Sequence, residues 1–188
     1  MEPKDEIGFL VENDYVVGKA MDSSFLAKRE EKACENLDCV FCRIVSGIDE
    51  SAIVYSDDKV ISILDKYPVA KGHCLVMLRR HRSTLNDMMP DEAKVLFEAV
   101  HLVARANIRA MKAEGFNIGM NNGKAAGQTV KHVHVHVIPR FENDIFWCTR
   151  RPQNIPSGSL KSAEELQVLA ELIRGEVQRS RGIRLAKL

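Results

Sequence analysis

Short apolar runs with a period of two occupy the middle of the chain and predict a sheet. Side chains on a strand point alternately to its two faces, so this alternation, with many β-branched residues, indicates strands rather than helices. Ser56, Asp57 and Asp58 supply turn residues between the first two runs, which predicts a hairpin. Five strands are predicted, at residues 53–55, 59–64, 73–78, 116–121 and 131–138.

A longer pattern with helical spacing lies between the third and fourth predicted strands, from Asp87 to Glu114. Its apolar residues recur every three or four positions, as on one face of a helix. Pro90 is followed by two acidic residues, which is typical of a helix start, and Gly115 is placed to end the helix. We expect this helix to pack on one face of the sheet.

Shorter helices are predicted on both sides of this core. Residues 39–46 suit a short helix that Gly47 ends. Near the other end of the chain, Ser162 and Glu165 fit a capping box that opens a further helix. The pattern therefore predicts an α+β fold: a five-stranded, mainly antiparallel sheet with one long helix packed on it, plus flanking N- and C-terminal helices.

The same pattern divides the chain into three parts. Residues 1–35 mix charged and apolar residues without a clean period and are interpreted as an N-terminal extension, in which residues 23–34 suit a short helix. Residues 36–142 hold all five predicted strands and form the predicted core domain. Residues 143–188 form a C-terminal segment, which begins as a loop and continues as the capped helix.

Composition and charge are those of an ordinary soluble domain. The chain has 188 residues, 45% of them hydrophobic, and a net charge of +1, so bulk charge implies no nucleic-acid partner. No apolar run approaches the roughly 20 residues needed to cross a bilayer, and we expect no membrane partner. The N-terminus lacks the basic and apolar regions of a signal peptide, and five cysteines are an odd number for a disulfide framework. We therefore expect a cytoplasmic protein.

One predicted strand carries three of the six histidines of the chain. His132, His134 and His136 alternate with three valines, so the imidazoles share one face, roughly 6–7 Å apart by strand rise, while the valines point into a core. Imidazole offers a nucleophile, an acid–base group or a metal ligand near neutral pH. A single histidine on a polar face needs no explanation, but three in register indicate chemistry at this strand.

The residues before these histidines favour one of two mechanisms. A middle imidazole could attack an electrophile covalently, or two or three imidazoles could bind a zinc ion that activates water. Gly123 and Gly127 permit a ligand to approach the backbone closely. Uncharged hydrogen-bonding side chains, which suit phosphate oxygens, accompany these glycines at Asn121, Gln128 and Thr129. A hydrolytic zinc site more often includes a carboxylate base, and no acid lies in this stretch, so phosphoryl chemistry on histidine is the better inference.

This stretch resembles the signature of the histidine triad superfamily of nucleotide hydrolases and transferases. The resemblance covers about residues 38–142, so the domain at 36–142 is identified as a histidine triad domain. The Gly-Gln-Thr-Val and Pro-Arg flanks look more like the dinucleoside polyphosphate hydrolase branch than the phosphoramidase branch. The features that carry the resemblance are the His-Val-His-Val-His-Val-Ile run, those two flanks, Asn121 with the glycine loop, the Asp-x-x-Pro turn at Asp65 and the Gly72-His73 strand entry.

The resemblance implies a two-step mechanism and a homodimer. His134 matches the nucleophile that attacks the α-phosphorus and forms a nucleotidyl-histidine intermediate, from which water releases a nucleoside monophosphate. His136 matches the residue at the phosphate and leaving group, and His132 the residue that supports the nucleophile from behind. The other implied contacts to an adenine or other purine nucleotide are the catalytic Gln128, the phosphate-side Asn121, Gly127 and Thr129, and the ribose-binding Asp65.

Cys39 and Cys42 form a second candidate site. The Cys-x-x-Cys spacing fits half of a zinc site, a redox pair or two packed thiols, and no strand precedes it as in a typical redox pair. Tetrahedral zinc needs two more ligands, for which His81, at the exit of the third predicted strand, and His132 are candidates. Some members of the superfamily bind structural zinc in this way, which implies a zinc ion at Cys39, Cys42, His81 and His132.

Other activities would use the same residues. Transfer of the nucleotide to phosphate or sulfate differs from hydrolysis only in the acceptor, and a nucleotide-binding signalling protein would not need the nucleophile. Removal of adenylate from nucleic-acid ends is less expected, because the chain is not basic and carries no visible nucleic-acid module. Two further histidines are predicted to have no catalytic role: His73 a structural one, and His101 a packed or exposed position on the long helix.

Overall fold

The computed structural model describes residues 36–142, residue 144 and residues 162–185. The predicted N-terminal extension and most of the predicted C-terminal loop lie outside the described residues. The helices are α1 (Val40–Val45), α2 (Pro90–Met111) and α3 (Ala163–Leu185), and the strands are β1 (Ile53–Ser56), β2 (Val60–Leu64), β3 (Cys74–Leu78), β4 (Gly115–Gly119) and β5 (His134–Arg140). Short 3₁₀ turns lie at Leu85–Asp87 and Lys124–Ala126.

The five strands form one sheet in the order β1-β2-β3-β5-β4, and each strand is antiparallel to its neighbours. The predicted hairpin is formed by β1 and β2. Helix α2 carries the chain from the end of β3 to the far edge of the sheet, where β4 lies. Strand β5 then returns between β4 and β3, so the histidine strand is paired on both sides. The predicted α+β fold with its antiparallel sheet is confirmed.

The two faces of the sheet carry different cores. The face covered by α2 and α3 contains the buried residues Val76, Val100, Val103, Val135 and Ile173. The opposite face, beneath α1, contains Phe41, Cys42, Ile61, Leu75 and Met77. Because side chains alternate along β5, its valines fall on the first face and its histidines on the second. The prediction that three valines point into a core is confirmed, since all three are buried.

Helix α2 begins as predicted but ends earlier. Pro90 occupies its first turn, and the Glu92 carboxylate accepts a hydrogen bond of 2.9 Å from the backbone N–H of Met89, which closes the helix start. The prediction that Gly115 ends the helix is wrong, because Gly115 is already the first residue of β4. Lys112 ends α2 in a left-handed conformation with a φ of 54°. A non-glycine residue tolerates this conformation at a cost of roughly 1–2 kcal/mol, so residue type alone did not locate the helix end.

Strand β5 starts and ends later than its apolar alternation predicts. It spans His134–Arg140, so His132 lies before the strand. The predicted end at residue 138 is wrong, because Pro139 pairs with Phe116 of the edge strand β4. The last β3–β5 pair involves Val137. Pro139 therefore has a strand on one side only, where its missing N–H is tolerated.

A close contact with α2 fixes the loop that carries Asp65 and His73. Gly72 has a φ of +87°, and a Cβ built there would lie 2.7 Å from Cγ of Met111, so a larger residue would overlap the helix. The side-chain amide of Asn107 donates a hydrogen bond of 2.6 Å to the Gly72 carbonyl. The loop before β3 is thereby held against the last turns of α2.

Helix α3 starts at the predicted capping box. The Ser162 hydroxyl oxygen accepts a hydrogen bond of 3.2 Å from the Glu165 N–H, and the Glu165 carboxylate accepts one of 3.2 Å from the Ser162 N–H. Ala170 and Ile173 of this helix are fully buried in the core beside α2. Among the residues that the structure describes, no helix is long and apolar enough to cross a membrane.

Candidate functional site

His134 and His136 lie side by side on β5, on the face beneath α1. Across the β3–β5 ladder they stand opposite Met77 and Leu75, and their ring centroids are 5.0 Å apart. His132 does not continue this row, which corrects the expectation of three equivalent imidazoles on one strand face. Because His132 precedes the regular strand, its ring has a different set of partners.

His134 is held in the tautomer that a nucleophile requires. Its Nδ1 lies 2.6 Å from the carbonyl oxygen of His132. A carbonyl can only accept, so Nδ1 carries the proton and Nε2 keeps its lone pair. His134 is 6% exposed, and burial lowers the pKa of its imidazole. His134 is thus a neutral, oriented imidazole near pH 7.

His136 is linked to two residues near β3. Its Nδ1 lies 2.9 Å from Nε2 of His73, and Nδ1 of His73 lies 3.4 Å from a carboxylate oxygen of Asp65. His73 is 2% exposed, and burial lowers its pKa. Burial, with smaller effects from His73 and His134, lowers the pKa of His136 to about 4.

His73 is the member of this group to which sequence reasoning assigned only a structural role. The Gly72-His73 pair at the strand entry is the one feature of the sequence that singles out His73, but it does not indicate which residue the imidazole contacts. His73 and His136 are 63 positions apart in the chain. Only the antiparallel pairing of β3 with β5 brings them together.

Gln128 holds the glycine loop in shape. Its Oε1 accepts a hydrogen bond of 2.7 Å from the Gly123 N–H, and its Nε2 donates to the carbonyls of Ser83 and Val130 at 2.7 and 3.0 Å. All three partners are backbone groups, so Gln128 ties the loop to the chain after β3. The catalytic role predicted for Gln128 stays a prediction. Three other predicted nucleotide-binding residues lie exposed on this loop, namely Asn121, Gly127 and Thr129.

Two cavities adjoin these groups. The larger, of about 700 Å³, is lined by residues that include Ser83, Thr84, Lys124, Thr129 and Lys131. Its described lining contains hydroxyl and ammonium groups and no carboxylate, so it suits an anion. The smaller, of about 280 Å³, lies beside Asp65 and His73 and is also lined by Leu166 and Leu169 of α3.

The structure brings the four predicted metal ligands together from three separate segments. The ligand atoms of Cys39, Cys42, His81 and His132 all lie within 4.8 Å of one another. Nδ1 of His132 lies 3.6 Å from the sulfur atoms of both cysteines. Nδ1 of His81 lies 3.2 Å from Sγ of Cys42.

These distances fit a tetrahedral zinc centre. With Zn–S bonds of about 2.3 Å and Zn–N bonds of about 2.05 Å, tetrahedral geometry places sulfur and nitrogen ligands about 3.6 Å apart. Nε2 of His132 lies 2.8 Å from the carbonyl oxygen of Leu78, so Nε2 carries the proton and Nδ1 faces the cluster with its lone pair. Two cysteine sulfur atoms and two imidazole nitrogens are a donor set that zinc prefers when both sulfurs are thiolates. The residues present therefore fit a zinc ion.

Comparison with known proteins identifies the family. Residues 47–143 match the model of the HIT domain. The chain belongs to the HIT family. A relative of this HIT-family protein, an adenylylsulfatase of Arabidopsis thaliana, is 36% identical over 152 residues, which cover 81% of this chain and 75% of that protein. At the level of the family, the protein is a nucleotide-binding hydrolase or transferase.

Two solved structures resemble this HIT-family protein. A Zn-bound histidine triad family protein from Mycobacterium smegmatis has a TM-score of 0.66 at 32% identity, over 78% of this chain and 98% of that one. A hypothetical histidine triad nucleotide-binding protein from Sulfolobus tokodaii has a TM-score of 0.66 at 35% identity, over 75% of this chain and 93% of that one. The predicted superfamily is confirmed, and the preference for its dinucleoside polyphosphate hydrolase branch stays a prediction.

The lowered pKa of His136 predicts a pH dependence of folding. An imidazole with a pKa of about 4 in the folded chain and 6.5 in the unfolded chain binds a proton only in the unfolded chain between those pH values. Its contribution to the free energy of unfolding is therefore complete above pH 6.5. It falls as the pH drops towards 4, by up to about 1.4 kcal/mol per pH unit. Urea unfolding at a series of pH values measures this slope.

Two variants isolate this contribution. His136→Asn removes one titrating group and should reduce the slope between pH 4 and 6.5 by up to about 1.4 kcal/mol per pH unit. The other buried histidines with lowered pKa values, His73, His132 and His134, account for a remaining slope. His101→Gln changes an exposed histidine of α2 and should keep the wild-type slope. The assignment fails if the His136→Asn protein loses stability with acid as steeply as the wild type does.

Proposed function

We propose that this protein is a nucleotidyl hydrolase that cleaves dinucleoside polyphosphates or nucleoside phosphoramidates at the α-phosphate. Nε2 of His134 attacks the α-phosphorus, the bond from phosphorus to the leaving group breaks, and a nucleotidyl-histidine intermediate forms. Water then attacks the same phosphorus, which releases a nucleoside monophosphate and restores the imidazole. The observation that carries this proposal is the 2.6 Å contact between Nδ1 of His134 and the His132 carbonyl. It exposes Nε2 as the nucleophile and stabilises the positive charge that the ring acquires.

The surrounding groups suit the charges of a nucleotide. His136 lies beside the nucleophile and contacts the phosphate or the leaving group. The lysines of the larger cavity, Lys124 and Lys131, attract the remaining phosphates. Asp65 lines the smaller cavity, and its carboxylate accepts hydrogen bonds from the hydroxyls of the ribose of an adenine or other purine nucleotide. Backbone and side-chain groups of the glycine loop, at Asn121, Gly127, Gln128 and Thr129, complete the phosphate contacts.

The Arabidopsis thaliana relative supports a second candidate substrate. That protein is an adenylylsulfatase and is 36% identical to this one. In adenylyl sulfate the nucleophile also attacks the α-phosphorus, and the leaving group is sulfate, so the same residues would serve. Transfer of the bound nucleotide to phosphate or sulfate would again differ only in the acceptor. A nucleotide-binding signalling protein would not need an oriented nucleophile, so the geometry of His134 favours an enzyme.

Replacement of the nucleophile tests the proposed reaction. His134→Ala should lower kcat by at least about a thousandfold, because no other group forms the covalent intermediate, while nucleotide binding and the circular dichroism spectrum are retained. The substrates are diadenosine polyphosphates, adenosine phosphoramidate and adenylyl sulfate, each with and without added phosphate. Chromatography of the products separates hydrolysis from transfer.

A matched control accompanies this variant. His101→Ala removes an exposed imidazole on the opposite face of the sheet and should keep wild-type rates. If His134→Ala retained wild-type rates on every substrate, the covalent mechanism would be excluded. If the wild-type protein bound these nucleotides without turning any of them over, a binding function would replace the enzyme.

We further propose that a structural zinc ion is held by Cys39, Cys42, His81 and His132. A bound ion would cross-link the start of α1, the chain after β3 and the residue before β5, and it takes no part in phosphoryl transfer. The carbonyl of His132 also accepts the proton of Nδ1 of His134, so the metal centre would steady the nucleophile through the backbone of one residue. The similar structure from Mycobacterium smegmatis is Zn-bound, which supports this proposal.

Metal analysis tests the zinc site on protein purified under reducing conditions. The wild type should contain about one zinc ion per chain. Cys39→Ser should lower this content to less than half and lower Tm by about 5 °C or more, because a structural zinc site contributes to folding. Cys74→Ala, which changes a cysteine buried on the other face of the sheet, should keep the metal. A wild type without zinc, or full zinc content in Cys39→Ser, contradicts the site.

We also propose a homodimer formed through the edge of the sheet at β4. Strand β4 lies at the end of the sheet order, and its large apolar side chains Phe116 and Ile118 are 43% and 46% exposed. Phe97 of α2 is 46% exposed as well. Apolar side chains beside the unpaired backbone groups of an edge strand favour association with a second copy.

A charged side chain introduced into β4 tests the proposed dimer. Ile118→Asp should convert the dimer into monomers, since burial of a carboxylate in an apolar interface is costly. The control variant Tyr67→Asp should remain a dimer, because Tyr67 is an exposed residue of the loop between β2 and β3. Sedimentation velocity measures both, and a monomeric wild type rules out this interface.

A further inference from the structure

The larger cavity, of about 700 Å³, lies between two segments that are distant in the chain, and we call it the anion cavity. One wall contains Ser83 and Thr84, which follow β3. The other wall is the glycine loop, whose residues at 123, 124 and 127–129 line the cavity. The width of the anion cavity therefore depends on the contacts that hold these two walls together.

The wall after β3 is attached to the rest of the fold without help from the glycine loop. The carbonyl of Arg82 accepts a hydrogen bond of 2.6 Å from the Val133 N–H, next to β5. The Arg82 guanidinium donates to both carboxylate oxygens of Glu92 at 2.8 Å, and Glu92 in turn closes the start of α2. His81, just before this segment, belongs to the Cys–His cluster. This wall is therefore the fixed one.

The glycine loop has a defined tip but fewer restraints on its position. Gly123 and Gly127 both have a φ of +85°, a conformation that glycine adopts without strain. The 3₁₀ turn Lys124–Ala126 lies between them and is closed within the loop, by the bond of 3.1 Å from the Ala126 N–H to the Gly123 carbonyl. Such internal bonds set the shape of the tip, but they do not set its distance from the fixed wall.

Two amide side chains of the glycine loop reach the fixed wall, one from each limb of the loop. Gln128 donates to the Ser83 carbonyl at 2.7 Å and attaches the limb that continues towards β5. Oδ1 of Asn122 accepts a hydrogen bond of 2.7 Å from the Leu85 N–H and attaches the limb that follows β4. That N–H begins the 3₁₀ turn Leu85–Asp87, where a backbone N–H has no partner inside the turn.

The anion cavity contains two ammonium groups that repel each other. Lys124 lies at the start of the turn in the glycine loop, two residues after Asn122, and Lys131 lies just before His132. An anion gains from both charges only where their separation suits it. A site whose groups are held in place before binding also loses less entropy on binding. The contact made by Asn122 restrains the limb that carries Lys124.

We propose that Asn122 is a positioning residue that holds the glycine loop against the chain after β3 and so fixes the width of the anion cavity. This rests on the proposed function and deepens it, because the cavity receives the phosphates beyond the α-phosphate. Asn122 acts through the position of Lys124. Dinucleoside polyphosphates depend on this contact because they place further phosphates in the cavity, whereas adenosine phosphoramidate, with a single phosphate, does not.

Three variants test the contact without any need for turnover. Asn122→Leu keeps the size of the side chain and removes the acceptor, while Asn122→Asp keeps an acceptor for the Leu85 N–H. Asn86→Leu makes the same change at an exposed residue of the adjacent 3₁₀ turn. Hydrogen exchange of the Leu85 amide, followed by NMR, should be at least about fivefold faster in Asn122→Leu. It should keep the wild-type rate in Asn122→Asp and Asn86→Leu.

Inorganic tripolyphosphate is the probe for the anion cavity. Isothermal titration calorimetry should show a Kd about fivefold higher in Asn122→Leu than in the wild type, as expected for the loss of one hydrogen bond, and an unchanged Kd in Asn86→Leu. An unchanged Kd in Asn122→Leu overturns the proposal. So does a wild-type protein that binds no tripolyphosphate, or a wild-type Leu85 amide that exchanges as fast as an unstructured one.

Kinetics separate positioning from a general loss of structure. In Asn122→Leu, KM for diadenosine polyphosphates should rise about fivefold while kcat stays within about twofold. KM for adenosine phosphoramidate should stay within about twofold of the wild-type value. An equal rise in KM for both kinds of substrate would indicate a structural role alone and overturn the proposal.

These measurements also distinguish the role of Asn122 from the proposed function. If no nucleotide is turned over, tripolyphosphate binding and Leu85 exchange still decide the role of Asn122. If nucleotides are turned over and Asn122→Leu binds tripolyphosphate as tightly as the wild type, only the role of Asn122 is excluded. Should Asn122→Leu fail to fold, Asn122→Ala removes the same acceptor without a larger apolar side chain and takes its place.

Discussion

The alternation of side chains along β5 is the constraint on which the candidate site depends. Its valines are buried in the core beneath α2, and its histidines lie on the face beneath α1. A shift of one residue in the pairing would exchange the two sets. Each buried valine stabilises the observed register by about 1.5–3 kcal/mol, and imidazoles in an apolar core would lose their polar partners. The buried valines between the histidines therefore fix the face of the sheet on which the histidines lie.

A second constraint connects the long helix to the chemistry. Gly72 packs against Met111 so closely that no side chain fits between them, and Asn107 is bonded to the same glycine. His73 follows directly and reaches His136 across the sheet. The helix on one face of the sheet thus determines the position of a ring on the other face. The loop before β3 therefore contacts residues on both faces of the sheet.

The sequence predicts the periodic elements well because their patterns are local. Strands β1 to β3 and helix α2 follow from the spacing of nearby residues alone. Element ends depend on surroundings as well: Lys112 rather than Gly115 ends α2, and Pro139 stays in β5 because β3 has already ended. The contact between His73 and His136 joins distant segments and leaves no local pattern. The Cys-x-x-Cys spacing alone left a zinc site as one of three interpretations, and the full set of four ligands was predicted through resemblance to a superfamily of which some members bind zinc in this way.

His132 takes part in two structures at once. Its carbonyl oxygen accepts a hydrogen bond from His134, while its ring faces the sulfur atoms of two cysteines. A substitution at this position therefore perturbs both the Cys–His cluster and the orientation of the neighbouring ring. A change in reaction rate after such a substitution would combine the effect on the cluster with the effect on the orientation of His134. The rates of a variant at position 132 can therefore be interpreted only in comparison with the rates of a variant in which Cys39 alone is replaced.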